Sequence, residues 1–274
     1  MLGAGFMART HSHAALASRA ELALIAASTP ESSARAAIEL GYERGVSVDE
    51  LLAAELPVVH VCTPNETHVE YARAALRGGS HVICEKPLAI SGSAANGLAA
   101  EAAELDRIGA VPFVYRYHPM VREARERIRA GAAGSIVTIS GQYLQDWLLE
   151  AQDDNWRVDP DAGGPSRAFA DIGSHLVDLV EFVSGDRITR LVSAVRTLHP
   201  ERAGKSVATE DTVALTAELA GGGVASMLVS QVAPGRKNGL VLEIGGSKES
   251  VRFEQEDPER LWVGRREQSL LLQK

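Results

Sequence analysis

His81-Val82-Ile83-Cys84-Glu85-Lys86-Pro87 is a short apolar run that stops at a proline. A brief, unalternating run of this kind reads as a buried strand of a parallel sheet, which is covered on both faces. Lys86 then falls at the strand's carboxyl end, the edge at which open α/β sheets bind their ligands. Taken alone, a Lys-Pro pair is more simply a solvated loop. Two further features favour chemistry. A glycine-rich turn, Gly3-Ala4-Gly5, opens the chain, and Asp171 and His175 stand one helical turn apart on an expected helix, where they share a face.

Working outward from this strand, apolar runs alternate with amphipathic stretches through residue 116, the pattern of β-α-β units on a parallel sheet. Leu22 to Ala27 reads as a strand. Thr29 then caps a helix that starts with Pro30 and ends at Gly41. Ser47 and Glu50 form a capping box before another short helix. Pro57 to Cys62 is a second buried strand, a helix spans Ser91 to Ile108 despite Gly92 and Gly97, and Val111 to Tyr115 is read as the last strand. Beyond Tyr117 a basic helix, Val121 to Ala130, gives way to period-two segments at 136–143, 188–198, 211–219, 224–232, 240–244 and 251–253, with Gly221-Gly222-Gly223 as a hairpin turn. The prediction is an α/β chain. Residues 1–116 form a Rossmann-type dinucleotide-binding domain, and residues 117–274 form an α+β domain whose large, mostly antiparallel open sheet has one face under helices.

Five motifs, in this order, resemble the Gfo/Idh/MocA family of sugar and polyol dehydrogenases (glucose-fructose oxidoreductase, inositol dehydrogenase, rhizopine catabolism). They are Gly3-Ala4-Gly5-Phe6-Met7-Ala8, Thr63-Pro64-Asn65 with His68, Glu85-Lys86-Pro87, Tyr115-Arg116-Tyr117-His118-Pro119, and Asp171-Ile172-Gly173-Ser174-His175. The resemblance covers nearly the whole chain. It implies hydride transfer between NAD(P) and a sugar, polyol or related cyclic hydroxyl compound. Gly3, Gly5, Phe6 and Met7 would meet the pyrophosphate at a helix N-terminus, with Ala8 packing behind them. Thr63, Pro64, Asn65, His68, Glu85 and Lys86 would border the nicotinamide ribose. For His68, a structural role at the helix start is the equal alternative.

At the end of the strand that follows the glycine-rich turn, here Leu22 to Ala27, an NAD-specific enzyme usually carries an acidic residue for the ribose 2′-hydroxyl. Ser28 and Thr29 stand there instead. They leave a 2′-phosphate unrepelled, which leans the choice toward NADP, with Arg35 as a weak candidate contact; a plain helix cap explains them equally well.

Removing hydride from a secondary alcohol needs a base at its hydroxyl, and imidazole suits that task near neutral pH. His175 is assigned as the base, Lys86 as the cation on the developing alkoxide, and Asp171 as their electrostatic partner. The bland alternatives are a helix cap for Asp171 and a core histidine for His175. Gln145, Trp156 and Arg157 are candidate sugar contacts, since sugar CH faces stack on aromatics while hydroxyls seek polar groups. The tryptophans serve equally well as core anchors.

Composition removes other classes. The 274 residues are 45% hydrophobic and 23% charged with net charge −8, which suits a small-molecule ligand and not a nucleic-acid backbone. Cys62 and Cys84, the only cysteines, each close an apolar run with no Cys-x-x-Cys spacing, so they read as reduced strand residues. His11 and His13 are two apart on a helix and suggest no metal site. No stretch has the length of a membrane span, and a cytoplasmic homo-oligomer joined through the C-terminal sheet is expected. Only Met1 and Leu2 precede Gly3, and the chain ends soon after the strand-like Leu261 to Val263. It therefore reads as truncated at both ends, with the first strand largely missing. Two other functions stay open: a catalytically silent family member that binds dinucleotide weakly or only oligomerises, and a metal-dependent sugar lyase or isomerase using Asp171 and His175.

Overall fold

A computed structural model describes residues 1–274, which divide into two compact units: Met1–Pro112 with Asp161–Gly164, and Phe113–Pro160 with Pro165–Lys274. In the first unit the order is α1 (Phe6–Ala17), β1 (Leu24–Ile25), α2 (Pro30–Leu40), β2 (Arg44–Gly45), α3 (Val48–Ala53), β3 (Val58–Val61), α4 (His68–Arg77), β4 (His81–Cys84), α5 (Gly92–Glu104) and β5 (Gly109–Ala110). The expected caps are present. Thr29 accepts from the Ser32 N–H ahead of α2, Gly41 ends that helix in the left-handed region, and Ser47 and Glu50 close their box.

Pairing is parallel throughout: β1 with β2, and β3 with β4 and then β5. Between β1 and β3 lie Met1–Gly3. The Leu2 N–H donates to His60 O at 2.8 Å and Leu2 O accepts from the Cys62 N–H at 2.8 Å, while Met1 O and the Gly3 N–H bond to Ala26 at 2.9 and 2.8 Å. The first strand, which the sequence reads as largely missing, is therefore short, and it bonds to both neighbours. Three residues suffice because β1 and β3 are themselves only two and four residues long. With Met1–Gly3 counted as the first strand, the order across the sheet is third, second, first, fourth, fifth, sixth, the doubly wound arrangement. Alternate residues feed opposite cores: Leu2, Leu24 and Ala26 on one face, Met1 and Ile25 on the other.

Val111 to Tyr115 is not the strand that the sequence predicts. Pairing of β5 with β4 stops at Ala110, and Val114–Tyr117 is a 3-10 turn. Pro112 lacks an N–H and restrains Val111, so the ladder cannot run on to Tyr115.

The second unit contains α6 (Pro119–Arg129), β6 (Ile136–Leu144), α7 (Pro160–Gly163, most of which lies with the first unit), α8 (Ser174–Ser184), β7 (Ile188–Arg196), a small hairpin of β8 (Glu201–Arg202) and β9 (Lys205–Ser206), then β10 (Thr212–Leu219), β11 (Val224–Ser230), β12 (Gly239–Gly246), β13 (Ser250–Glu254), β14 (Arg260–Gly264) and β15 (Ser269–Gln273). Eight strands form one sheet in the order β15-β14-β13-β12-β6-β11-β10-β7. Every pairing is antiparallel except β11 with β6. Val121, Ala124, Leu176, Leu179, Val180 and Val183 from α6 and α8 share a core with the inward residues of the sheet. Burial alternates strictly along β10, so the opposite face is open. Gly141 lets α8 approach β6: a Cβ there would meet Leu176 Cδ1 at 2.9 Å.

Candidate active site

The carboxyl edge of the first sheet gathers the amino-terminal motifs. Gly3 has φ +97°, and a Cβ on it would lie 2.4 Å from the Cys62 carbonyl oxygen, so only glycine fits beside β3. Gly5 then caps α1 with no side-chain hydrogen bond and with nothing within 4 Å of a Cβ built on it. The first turn of α1 holds no acidic residue, which leaves its backbone N–H groups and positive dipole end available to an anion. A pyrophosphate fits this cradle. Phe6 beside it is 80% exposed. At the end of β1, Ser28 is exposed, while the Thr29 hydroxyl is occupied by the Ser32 N–H of the capping box.

The Thr63–Asn65 turn is held from several sides. Thr67 Oγ1 donates within hydrogen-bond range of Thr63 Oγ1 at 2.7 Å and Pro64 O at 2.8 Å. Asn65, nearly buried, donates its amide to Gly163 O at 3.0 Å. His68 has no exposed surface, and its ring nitrogens lie 2.7 Å from Pro87 O and 2.9 Å from Thr63 O. With both nitrogens engaged and no open face, the His68 side chain braces the Thr63 turn against the Lys86-Pro87 loop. The structural alternative describes it better than cofactor contact does.

Glu85 is buried directly before Lys86 and accepts the Lys86 backbone N–H at 3.1 Å through Oε2. Its Oε1 lies 2.9 Å from His11 Nε2. Burial pushes the Glu85 carboxyl up, but the His11 hydrogen bond and the charges of His11 and Lys86 outweigh it and hold it below the ordinary carboxylate range. Nothing in the i, i+2 spacing of His11 with His13 points to Glu85, 74 positions away.

In the second unit, Asp171 lies in a π-helical turn, Phe169–Gly173, that runs straight into α8. Such wide turns are rare and concentrate at functional sites. Asp171 is thus inside a helical segment and is not its cap, since Glu210 takes that role: its Oε1 accepts from Ser166 Oγ at 2.8 Å and from the Phe169 N–H at 2.9 Å. The Asp171 carboxylate accepts from Arg157 Nε at 3.1 Å and from the buried Gln231 Nε2 at 2.9 Å. Arg157 in turn stacks over Trp156, with its guanidinium carbon 4.4 Å from the ring centroid.

His175 is 8% exposed and sits edge-on to Tyr115 at 5.0 Å and Phe113 at 5.7 Å between ring centroids. Behind it, the hydroxyls of Tyr115 and Tyr143 are 2.5 Å apart, and Tyr143 donates to Asn238 Oδ1 at 2.6 Å. Burial, with Tyr115 beside it, pushes the Tyr143 phenol far above its ordinary value, so it remains a proton donor. Gln145 belongs to the same chain of bonds, accepting from Trp147 Nε1 at 2.8 Å. No local sequence signal marks Gln231, Glu210 or Asn238, because their partners lie far away in the chain. No three His, Cys, Asp or Glu side chains are grouped as a metal ligand set.

Residues 1–113 match the model of an oxidoreductase family with an NAD-binding Rossmann fold, and residues 121–252 match that of the GFO/IDH/MocA C-terminal domain. Levoglucosan dehydrogenase of Pseudarthrobacter phenanthrenivorans is 31% identical over 296 residues, covering 96% of this chain and 75% of that protein. The chain belongs to the GFO/IDH/MocA oxidoreductase family. Within it, glucose-6-phosphate 3-dehydrogenase of Bacillus subtilis is 28% identical over 94% of this chain and 74% of its own length. A crystal structure of an oxidoreductase domain protein from Kribbella flavida superposes with TM-score 0.94 at 33% identity, covering 100% of this chain and 78% of that one. Levoglucosan dehydrogenase in complex with NADH and levoglucosan gives TM-score 0.94 at 31% identity, again over 100% and 78%. The GFO/IDH/MocA fold thus accounts for both units, and no helix in either is long and apolar enough to cross a membrane.

Proposed function

We propose that this family member oxidises a secondary hydroxyl of a sugar, polyol or related cyclic hydroxyl compound, or reduces the matching ketone, with NAD(P). One observation carries the reading: Lys86 is anchored through Glu85 at the carboxyl end of β4, on the sheet edge that also presents the uncapped N-terminus of α1. The sugar dehydrogenases among the relatives support it. When bound, the nicotinamide supplies the hydride acceptor or donor.

The chain's own groups divide the remaining work. Gly3, Gly5, Phe6 and Met7 receive the pyrophosphate, and the turn at Thr63, Pro64 and Asn65 borders the nicotinamide ribose. The Lys86 ammonium stabilises negative charge as it develops on the substrate oxygen. His175 removes the hydroxyl proton, and Asp171 orients the polar groups around it, its own carboxylate steadied by Arg157 and Gln231. Gln145, Trp156 and Arg157 meet the sugar. Because Ser28 places no carboxylate at the end of β1, a 2′-phosphate is tolerated, and NADP binds at least as well as NAD. The open face of the second sheet, with Val192 75% and Val224 53% exposed, supports a homo-oligomer.

The deciding experiment is nicotinamide absorbance during incubation with a panel of pyranoses, anhydrosugars and cyclic polyols, with both nucleotides. Turnover of at least one compound that is lost in Lys86→Met is expected. Weak nucleotide binding with no turnover across the panel would instead favour the silent family member.

A further inference from the structure

We propose that His11 and His60 are positioning residues for Lys86, acting through the Glu85 carboxylate to which the Lys86 backbone N–H is bonded. The proposal rests on the catalytic reading of Lys86 given above.

The link runs through three elements of the first unit. Glu85 at the end of β4 receives the Lys86 N–H on Oε2 at 3.1 Å and faces His11 Nε2 of α1 with Oε1 at 2.9 Å. His11 Nδ1 in turn lies 2.9 Å from Nδ1 of His60 on β3, with the two rings edge to face at 5.2 Å and 80°. His60 belongs to the strand whose backbone accepts the Leu2 N–H at 2.8 Å. His11 is 7% exposed and Glu85 5%, so water does not compete for the bond between them.

Proton counting fixes the direction of the chain. The Glu85 carboxylate only accepts, so His11 Nε2 carries a proton and donates it. The contact between the two Nδ1 atoms needs one proton between them. His60 is neutral there, its value lowered to about 4 by burial and by the neighbouring His11 and amino terminus. Neither imidazole can flip without turning a C–H toward an acceptor. The carboxylate is thereby held with Oε2 toward Lys86, and the root of the lysine side chain is set by α1, β3 and β4 together. Since α1 begins at Gly5, the turn proposed to receive pyrophosphate and the anchor of the lysine share one rigid support.

Two measurements on the full chain test this. In the first, His11→Ala and Glu85→Ala are measured alone and combined with Lys86→Met. Each should lower kcat on the order of 10- to 10²-fold, the scale of a small misplacement of a reacting group, with little change in nucleotide affinity. His11→Gln, whose amide can still donate to Glu85, should restore much of the loss. In the Lys86→Met background His11→Ala should add nothing. An equal loss in both backgrounds, or normal kcat in His11→Ala beside an impaired Lys86→Met, overturns the positioning role. Near-normal turnover in Lys86→Met alone instead overturns the catalytic reading on which it stands.

The second measurement needs no activity. Nitrogen-15 spectra of histidine-labelled protein without nucleotide should show the His60 ring neutral from about pH 8 down to about pH 5.5, outside the behaviour of a free imidazole. Glu85→Gln should move the resonances of His11 and, through it, those of His60. Independent titration of both rings near the ordinary histidine value, insensitive to Glu85, overturns the link.

Discussion

Asn65 donates its side-chain amide to the carbonyl oxygen of Gly163, 3.0 Å away and 98 positions later in the chain. That bond helps to bring Asp161–Gly164 into the first unit, although the residues on both sides of it belong to the second. The Thr63–Asn65 turn therefore carries two duties at once: Thr63 is braced by His68, and Asn65 tethers a distant segment.

Replacing Asn65 with Ala removes this tether. The expected cost is about 0.5–1.5 kcal/mol of stability, the net worth of one such hydrogen bond. Amide exchange measured by mass spectrometry should quicken over residues 161–164 and stay unchanged in the sheet of the second unit. Unaltered exchange in that segment would show that the bond contributes nothing to its order.

Lys86→Met should lower turnover by about 10² or more while nucleotide affinity, read by calorimetry, stays near normal, because the ammonium acts on charge that develops only in the transition state. For His175→Ala, the residual rate should lose its dependence on pH around neutrality. An unchanged pH profile would assign the base to another group.

Ser28→Asp should shift preference from NADP toward NAD, since a carboxylate at the end of β1 repels the 2′-phosphate and bonds the free 2′-hydroxyl. Binding of both nucleotides to the parent chain and to the variant measures this directly. Strong NAD preference in the parent would show that Ser28 and Thr29 serve only as a helix cap.

Acid should weaken the fold through His60. Burial, then His11 and the amino terminus, lower its value from 6.5 unfolded to about 4 folded. The unfolded chain thus binds the extra proton first, so stability is full above about pH 6.5 and falls as pH drops toward 4. At about 1.4 kcal/mol per unit the loss is at most about 3 kcal/mol. Urea titrations at several pH values should show this slope, and His60→Asn should flatten it.

Asp211 is fully buried between Arg167 and Arg202 and bonds to both, while Arg202 also donates to Leu148 O at 2.7 Å. Asp211→Ala leaves two buried guanidinium groups without their carboxylate, at a cost of about 3–5 kcal/mol. A much smaller change in denaturant midpoint would mean that the site admits water or an anion.

Local chemistry made much of the first unit legible. Pro30 and Gly41 bound α2, Ser47 with Glu50 starts α3, and His81–Cys84 forms β4 with the boundaries its apolar run implies. Each depends on residues within one or two turns, and so does the placement of Lys86 at a strand end. Alternation likewise exposed most strands of the second sheet, because a half-covered sheet imposes its period of two on the sequence.

Tertiary structure decided what local pattern cannot encode. Leu2 completes the sheet only because β1 and β3 stand on either side of it, and β11 runs parallel to β6 although its hairpin with β10 is plain in the sequence. His11 meets Glu85 across 74 positions, and Asp171 meets Gln231 across 60. Residue type and spacing set which helices and strands form, through backbone dihedrals, caps and the period of burial. Which buried polar groups face one another depends on how those elements pack, since a desolvated donor or acceptor takes its partner from whichever distant strand or helix the fold brings within reach.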